Sequence, residues 1–120
     1  MKFNLKDFKR FEKQIILKNI GISGQKKIKS SKILIIGMGG LGCPLLTNLA
    51  AAGVGNIGIV DHDKVELGNL SRQTLFGTSD IGKLKVNQAK KKISHIYKDI
   101  KIKIFKNKIL KNKKKKILKK

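Results

Sequence analysis

The sequence has one cysteine, one proline, one tyrosine and no tryptophan in 120 residues, and seven acidic side chains against 29 basic ones. A single cysteine, Cys43, excludes an intramolecular disulfide and any zinc site built from cysteine pairs. With 40% apolar residues and so little proline, the composition is not that of a disordered chain. No uncharged apolar stretch approaches the roughly 20 residues that cross a bilayer. The N-terminal run from Met1 to Phe11 carries charges throughout and lacks the apolar middle of a secretory signal. These absences give a cytoplasmic chain with no membrane partner. Its length suggests one domain able to bury a core.

What is abundant is lysine. The formal charge is +22, which invites a nucleic-acid reading. Two counts weaken it. Arginine, the residue that grips phosphate bidentately, occurs only at Arg10 and Arg72. Lysine, isoleucine and asparagine, all with AT-rich codons, make up 53 of the 120 residues, as drift in a low-GC genome would produce. The charge is also uneven: positions 101–120 hold eleven lysines and no acid. The spacing of Phe8, Phe11 and Ile15 predicts a helix over 7–18, and residues 25–30 form a second short helix after the glycines at 21 and 24. The run 32–36 reads as a buried parallel strand, 44–52 as an apolar helix closed by Gly53, and 56–61 as a second strand. A polar loop to Ser79 precedes a helix over 83–97, and the strict alternation of 100–105 marks a strand at a sheet edge. This order is α/β: the N-terminal half of a Rossmann-like doubly wound parallel sheet, preceded by two short helices. The organisation is a helical segment (1–30), a nucleotide-binding half-domain (31–106) and a low-complexity lysine tail (107–120).

Between the first strand and its helix, Gly37-Met38-Gly39-Gly40-Leu41-Gly42 fits G-x-G-x-x-G in the strand–turn–helix context that motif needs. Gly37, Gly39, Gly40 and Gly42 permit a tight turn and bring backbone N–H groups and a helix N-terminus up to a phosphate. Asp61 closes the second strand, where a carboxylate accepts hydrogen bonds from ribose hydroxyls. The bland alternative is a glycine turn that serves only helix–strand packing. Cys43 reads as a packing residue, and His62 and His95 as solvent-facing, without partners at metal-ligand spacing. Asp63 either assists at the nucleotide or caps its loop.

The residues 61–73 (DHDKVELGNLSRQ) and 80–85 (DIGKLK) resemble the adenylating family that activates ubiquitin-like proteins, whose bacterial members include ThiF, MoeB and HesA. The resemblance runs from Arg10 through Ile100. It implies adenylation by ATP, with magnesium, of the C-terminal glycine carboxylate of a ubiquitin-like sulfur-carrier protein of thiamine or molybdopterin synthesis. It assigns Arg72 and Lys85 as the catalytic cations, Arg72 at the leaving group and Lys85 near the attacked phosphate. Gly40 and its neighbours approach the phosphates, Asn69 and Gln73 line them, and Asp61 holds the ribose. It also implies a homodimer, in which Lys13 stands where the family has an arginine reaching the partner subunit's ATP; a lysine keeps the charge but loses the fork.

The departures are of length. The family's further strands, its magnesium-binding aspartate and its two CxxC pairs have no counterpart here, so no zinc site is expected. The first strand is expected to lack a neighbour on one side, and the enzyme to be truncated, with a lysine run such as 113–116 as a place for frame slippage, and impaired. Two alternatives stay open: a non-catalytic remnant that binds nucleotide weakly, and a basic nucleic-acid-binding protein.

Overall fold

The computed structural model describes residues 3–106; the lysine-rich stretch 107–120 lies outside them. Asn4 starts helix α1 (Leu5–Arg10) by accepting from the Asp7 N–H, while the Asp7 carboxylate accepts from the Asn4 N–H, both at 3.0 Å. The single helix expected over 7–18 is two. It breaks at Phe11, whose ring is sunk edge-on against Tyr97 at 5.6 Å, and resumes as α2 (Glu12–Ile15). Helix α3 (Gly21–Ser30) starts four residues earlier than expected, because Gly21 at φ 58° makes the entry turn and Gly24 continues the helix. Three helices therefore precede the sheet.

The strands lie close to where the sequence placed them. Strand β1 (Lys32–Ile36) leads through α4 (Gly42–Ala52) to β2 (Asn56–Val60), and α5 (Lys85–Ile96) leads to β3 (Lys101–Phe105). All pairing is parallel in the order β1-β2-β3, with Ile35 opposite Ile59 and Ile59 opposite Ile104. Gly53, at φ 100°, caps α4 in the left-handed conformation, as a helix-ending glycine should. The alternation of β3 is real: Ile102 is buried between exposed Lys101 and Lys103.

Helices α4 and α5 pack on one face of the sheet, where Leu46, Ala50, Val86, Ala89 and Ile93 join Ile35, Ile57, Ile59 and Ile102 in one buried cluster. The three strands are thus half of a doubly wound architecture. On the opposite face Ile36 is 60% exposed. Among the described residues β1 pairs only with β2, so this apolar strand is an edge. The N-terminal helices are locked to the far end of α5: buried Asp7 accepts from the Lys29 ammonium at 2.7 Å and from the Tyr97 hydroxyl at 3.3 Å, and Arg10 stacks on the Tyr97 ring. No described helix is long and apolar enough to cross a membrane.

Candidate functional site

The chain leaves β1 at Gly37, in the left-handed region at φ 96°, and its N–H donates to the Val60 carbonyl at 2.7 Å. The turn then folds tightly on itself. A Cβ on Gly42 would stand 1.9 Å from the Gly37 carbonyl oxygen, so only glycine fits there. Gly40 is the reverse case, with nothing within 4 Å of a Cβ position. The loop is closed at its base and open at Gly40, the shape of a cradle with space above it. Helix α4 follows with no acid in its first turn and no side-chain cap of its own.

Asp61, directly after β2, binds this loop. Its Oδ2 accepts from the Met38 N–H at 2.6 Å and its Oδ1 from the Asp63 N–H at 2.7 Å. The long crossover loop is pinned in turn: the Val65 N–H donates to the Lys83 carbonyl at 2.8 Å, the Gly82 N–H donates to the Val65 carbonyl, and Lys64 bridges Leu84. The Asp63 carbonyl accepts from the Lys85 N–H at 3.0 Å. An unbroken run of hydrogen bonds therefore links the glycine turn, Asp61, Asp63 and the start of α5.

Lys85 is 5% exposed and opens a twelve-residue helix with no acid in its first turn. Its ammonium makes no ion pair or hydrogen bond among the described residues. Its stem is packed, and a cation with no acid bonded to it at the positive end of a helix dipole makes this a place that favours an anion. Both Lys85 and Asp61 act on the Cys43 thiol in the first turn of α4. Burial raises that thiol to about 11, the Lys85 charge pulling back and the Asp61 charge adding. The starts of α4 and α5 and the end of β2 converge on one place, at the carboxyl ends of the strands.

The remaining sequence candidates divide. Gln73 is 4% exposed, lies 3.9 Å from a Cβ position on Gly39, and leaves its Oε1 without a partner among the described residues. Buried amide oxygens are rarely left so. Asn69 is held by its own turn, its Oδ1 accepting from the Glu66 N–H at 2.9 Å. Arg72 is bonded within its own loop. It is exposed, and its guanidinium donates to the Gly68 carbonyl at 3.0 Å, because the 3₁₀ turn of Leu67–Asn69 curls that carbonyl toward it. Lys13 is also exposed. Its neighbour Gln14 donates to the Ala52 carbonyl, at the end of α4 opposite the glycine turn. His62 is exposed as expected, yet the structure brings its Nε2 within 3.1 Å of Asp63, and ligand atoms of Asp61, His62 and Asp63 lie within 4.8 Å of one another. Sequence spacing missed that grouping because it rests on side-chain direction. The sequence also gave no role to Asp80, which is 3% exposed and anchors Gly77, Gln88 and Lys92. The one available signal was the four-residue spacing of Gln88 and Lys92 along one helix face.

A parallel sheet whose first crossover begins in a glycine turn, with an acid after the second strand, is the Rossmann-type half-fold. Within that class the chain belongs to the ThiF family, whose model matches residues 11–120. It is 46% identical over 103 residues to the adenylyltransferase and sulfurtransferase UBA4 of Vanderwaltozyma polyspora, covering 85% of this chain and 24% of that protein. A probable molybdopterin-synthase adenylyltransferase of Porphyra purpurea is equally similar, at 46% over 103 residues, with 86% and 27% covered. The chain thus spans about a quarter of the length of these relatives. Among solved structures, Escherichia coli MccB with AMPCPP and MccA superposes at a TM-score of 0.75 and 33% identity, over 78% of this chain and 27% of that one. The E. coli tRNA N6-threonylcarbamoyladenosine dehydratase TcdA with ATP reaches 0.91 at 19% identity, over 99% and 48%, a likeness of fold.

Proposed function

We propose that this chain supplies the nucleotide-binding half of an ATP-dependent adenylyltransferase acting on the C-terminal glycine carboxylate of a ubiquitin-like sulfur-carrier protein. The observation that carries the proposal is Lys85, whose stem is buried and whose ammonium has no acid bonded to it among the described residues, at a helix N-terminus beside an open glycine turn. That combination suits a polyphosphate better than a neutral ligand. The residues fit ATP in three further respects. Gly40 faces open space where a phosphate can approach. Gln73 holds a buried oxygen with no partner among the described residues. Asp61 keeps lone pairs beyond those used by Met38 and Asp63, available to ribose hydroxyls.

In this reading the glycine turn and the first turn of α4 hold phosphate oxygens by backbone N–H donation. Lys85 stabilises the negative charge that grows on the α-phosphate as a carboxylate attacks. Asn69 has its amide N–H groups free to donate. Arg72 serves the departing pyrophosphate after exchanging its bond to the Gly68 carbonyl for one to phosphate. Lys13, exposed beside Gln14 at the end of α4 opposite the glycine turn, serves a second copy in a homodimer. Magnesium accompanies the triphosphate and offsets its charge; no described residue is assigned to hold it. Nucleic-acid binding remains the lesser reading, resting on net charge alone.

The test is ATP–pyrophosphate exchange with the purified protein and a sulfur-carrier protein. Exchange that requires the carrier and is lost in Lys85→Met supports the proposal. Exchange unaffected by that substitution removes Lys85 from the site.

A further inference from the structure

Two lysines one helix face apart on α5 have opposite fates. Lys92 donates to the Asp80 carboxylate at 2.5 Å, while Lys85, two turns earlier, is left without an acid. Both oxygens of Asp80 are engaged. Its Oδ2 also accepts from the Gly77 N–H at 2.7 Å, and its Oδ1 from the Gln88 amide at 2.6 Å. Burial alone would push its carboxyl up, but the Gly77, Lys92 and Gln88 donors outweigh that and hold it down at about 2. The carboxylate therefore staples the turn at residues 77–82 to the first two turns of α5, which has no side-chain cap of its own. Directly beyond the staple come Gly82, at φ 85°, the Val65–Lys83 bond and the Lys85–Asp63 bond. Asp63 leads to Asp61, and Asp61 to the Met38 N–H of the glycine turn.

We infer that Asp80 is a positioning residue, which fixes the start of α5 and, through Asp63 and Asp61, the glycine turn, in the one geometry that presents Lys85 to that turn. The inference rests on the reading of Lys85 and the glycine turn as the nucleotide site, but its first readout does not need a nucleotide. Asp80→Asn, with its one oxygen kept for Gly77 and Lys92, removes the charge that holds Lys92 and turns an amide donor toward the Gln88 amide. A loosened staple should speed amide hydrogen exchange at Lys85 and Met38 by about tenfold while Ile57 and Ile59 in β2 keep their protection. Binding of ATP with magnesium should weaken by about tenfold at the same temperature. Asp7→Asn, which breaks the buried pair with Lys29 at the other end of α5, is the control. It should lower the melting temperature and leave ATP affinity and the Lys85 and Met38 amides unchanged. Lys92→Met, at a half-exposed side chain, gives the same readout should Asp80→Asn not fold. Exchange that rises equally everywhere, or not at Met38, overturns the inference. Selective exchange in a protein that binds no ATP keeps the positioning role and overturns the nucleotide reading instead.

Discussion

At the glycine turn two neighbouring residue types that look alike in sequence do opposite work. Gly42 is required by the fold, since a Cβ there collides with the Gly37 carbonyl, whereas Gly40 faces empty space. Gly42→Ala should destabilise the protein by roughly 1–3 kcal/mol, with the size of an overpacked core position. Gly40→Ala should change stability by no more than about 0.5 kcal/mol. Urea denaturation of the two variants measures both; equal losses would mean that the turn is packed rather than open. The glycines and Asp61 were legible in the sequence because their chemistry is local. A tight turn needs glycine, and a strand-ending acid lies beside it by topology. Lys85 was not legible in that way. It is one of 27 lysines, and what distinguishes it, burial without an acid, is produced by the packing of α5 against α4 and the crossover loop. Only the resemblance singled it out. For Arg72 the motif was plain, but the bond of its guanidinium to the Gly68 carbonyl rests on side-chain direction, which the sequence does not carry.

Strands and the two crossover helices could be read from the sequence to within two residues, because each is a short apolar run or a periodic apolar face with a glycine or a loop at its end. The helices before the sheet could not. Phe8, Phe11 and Ile15 keep helical spacing straight across a break, and the break exists because Phe11 must reach Tyr97, 86 residues further on. Such long-range packing leaves no local trace. These elements are joined by two buried carboxylates, Asp7 and Asp80. Burial opposes their charge, but Lys29 and Asn4 at the first, and Gly77, Lys92 and Gln88 at the second, bring both below the ordinary 3.8. A folded-state pKa below the unfolded one gives stability that is present above about pH 4 and lost as pH falls through the folded value. Asp80, at about 2, contributes about 2 kcal/mol in this way. The denaturation free energy should therefore fall between about pH 4 and about pH 2, and less steeply in Asp80→Asn. A variant with the wild-type slope would show that Asp80 does not titrate with folding.

For the whole molecule, charge was the loudest feature of the sequence and the least informative about function. The +22 is a sum over 27 lysines, eleven of them in positions 101–120, whereas the candidate site needs only Lys85 and one turn of glycine. The parallel sheet, its order and the placement of the site at its carboxyl end followed from the alternation of elements, as topology requires. The central claim is that the convergence of Gly40, Asp61 and Lys85 is a triphosphate site. Calorimetric titration of ATP with magnesium into the wild-type protein and into Gly40→Asp tests it most directly, with NAD as the competing ligand. Gly40 has room for the new side chain, so the variant should fold normally and place a carboxylate where phosphate is to bind. The account predicts that ATP binds the wild type better than NAD does and that Gly40→Asp abolishes measurable binding. Equal ATP affinity in the two proteins, or protection by NAD and not by ATP, would contradict it.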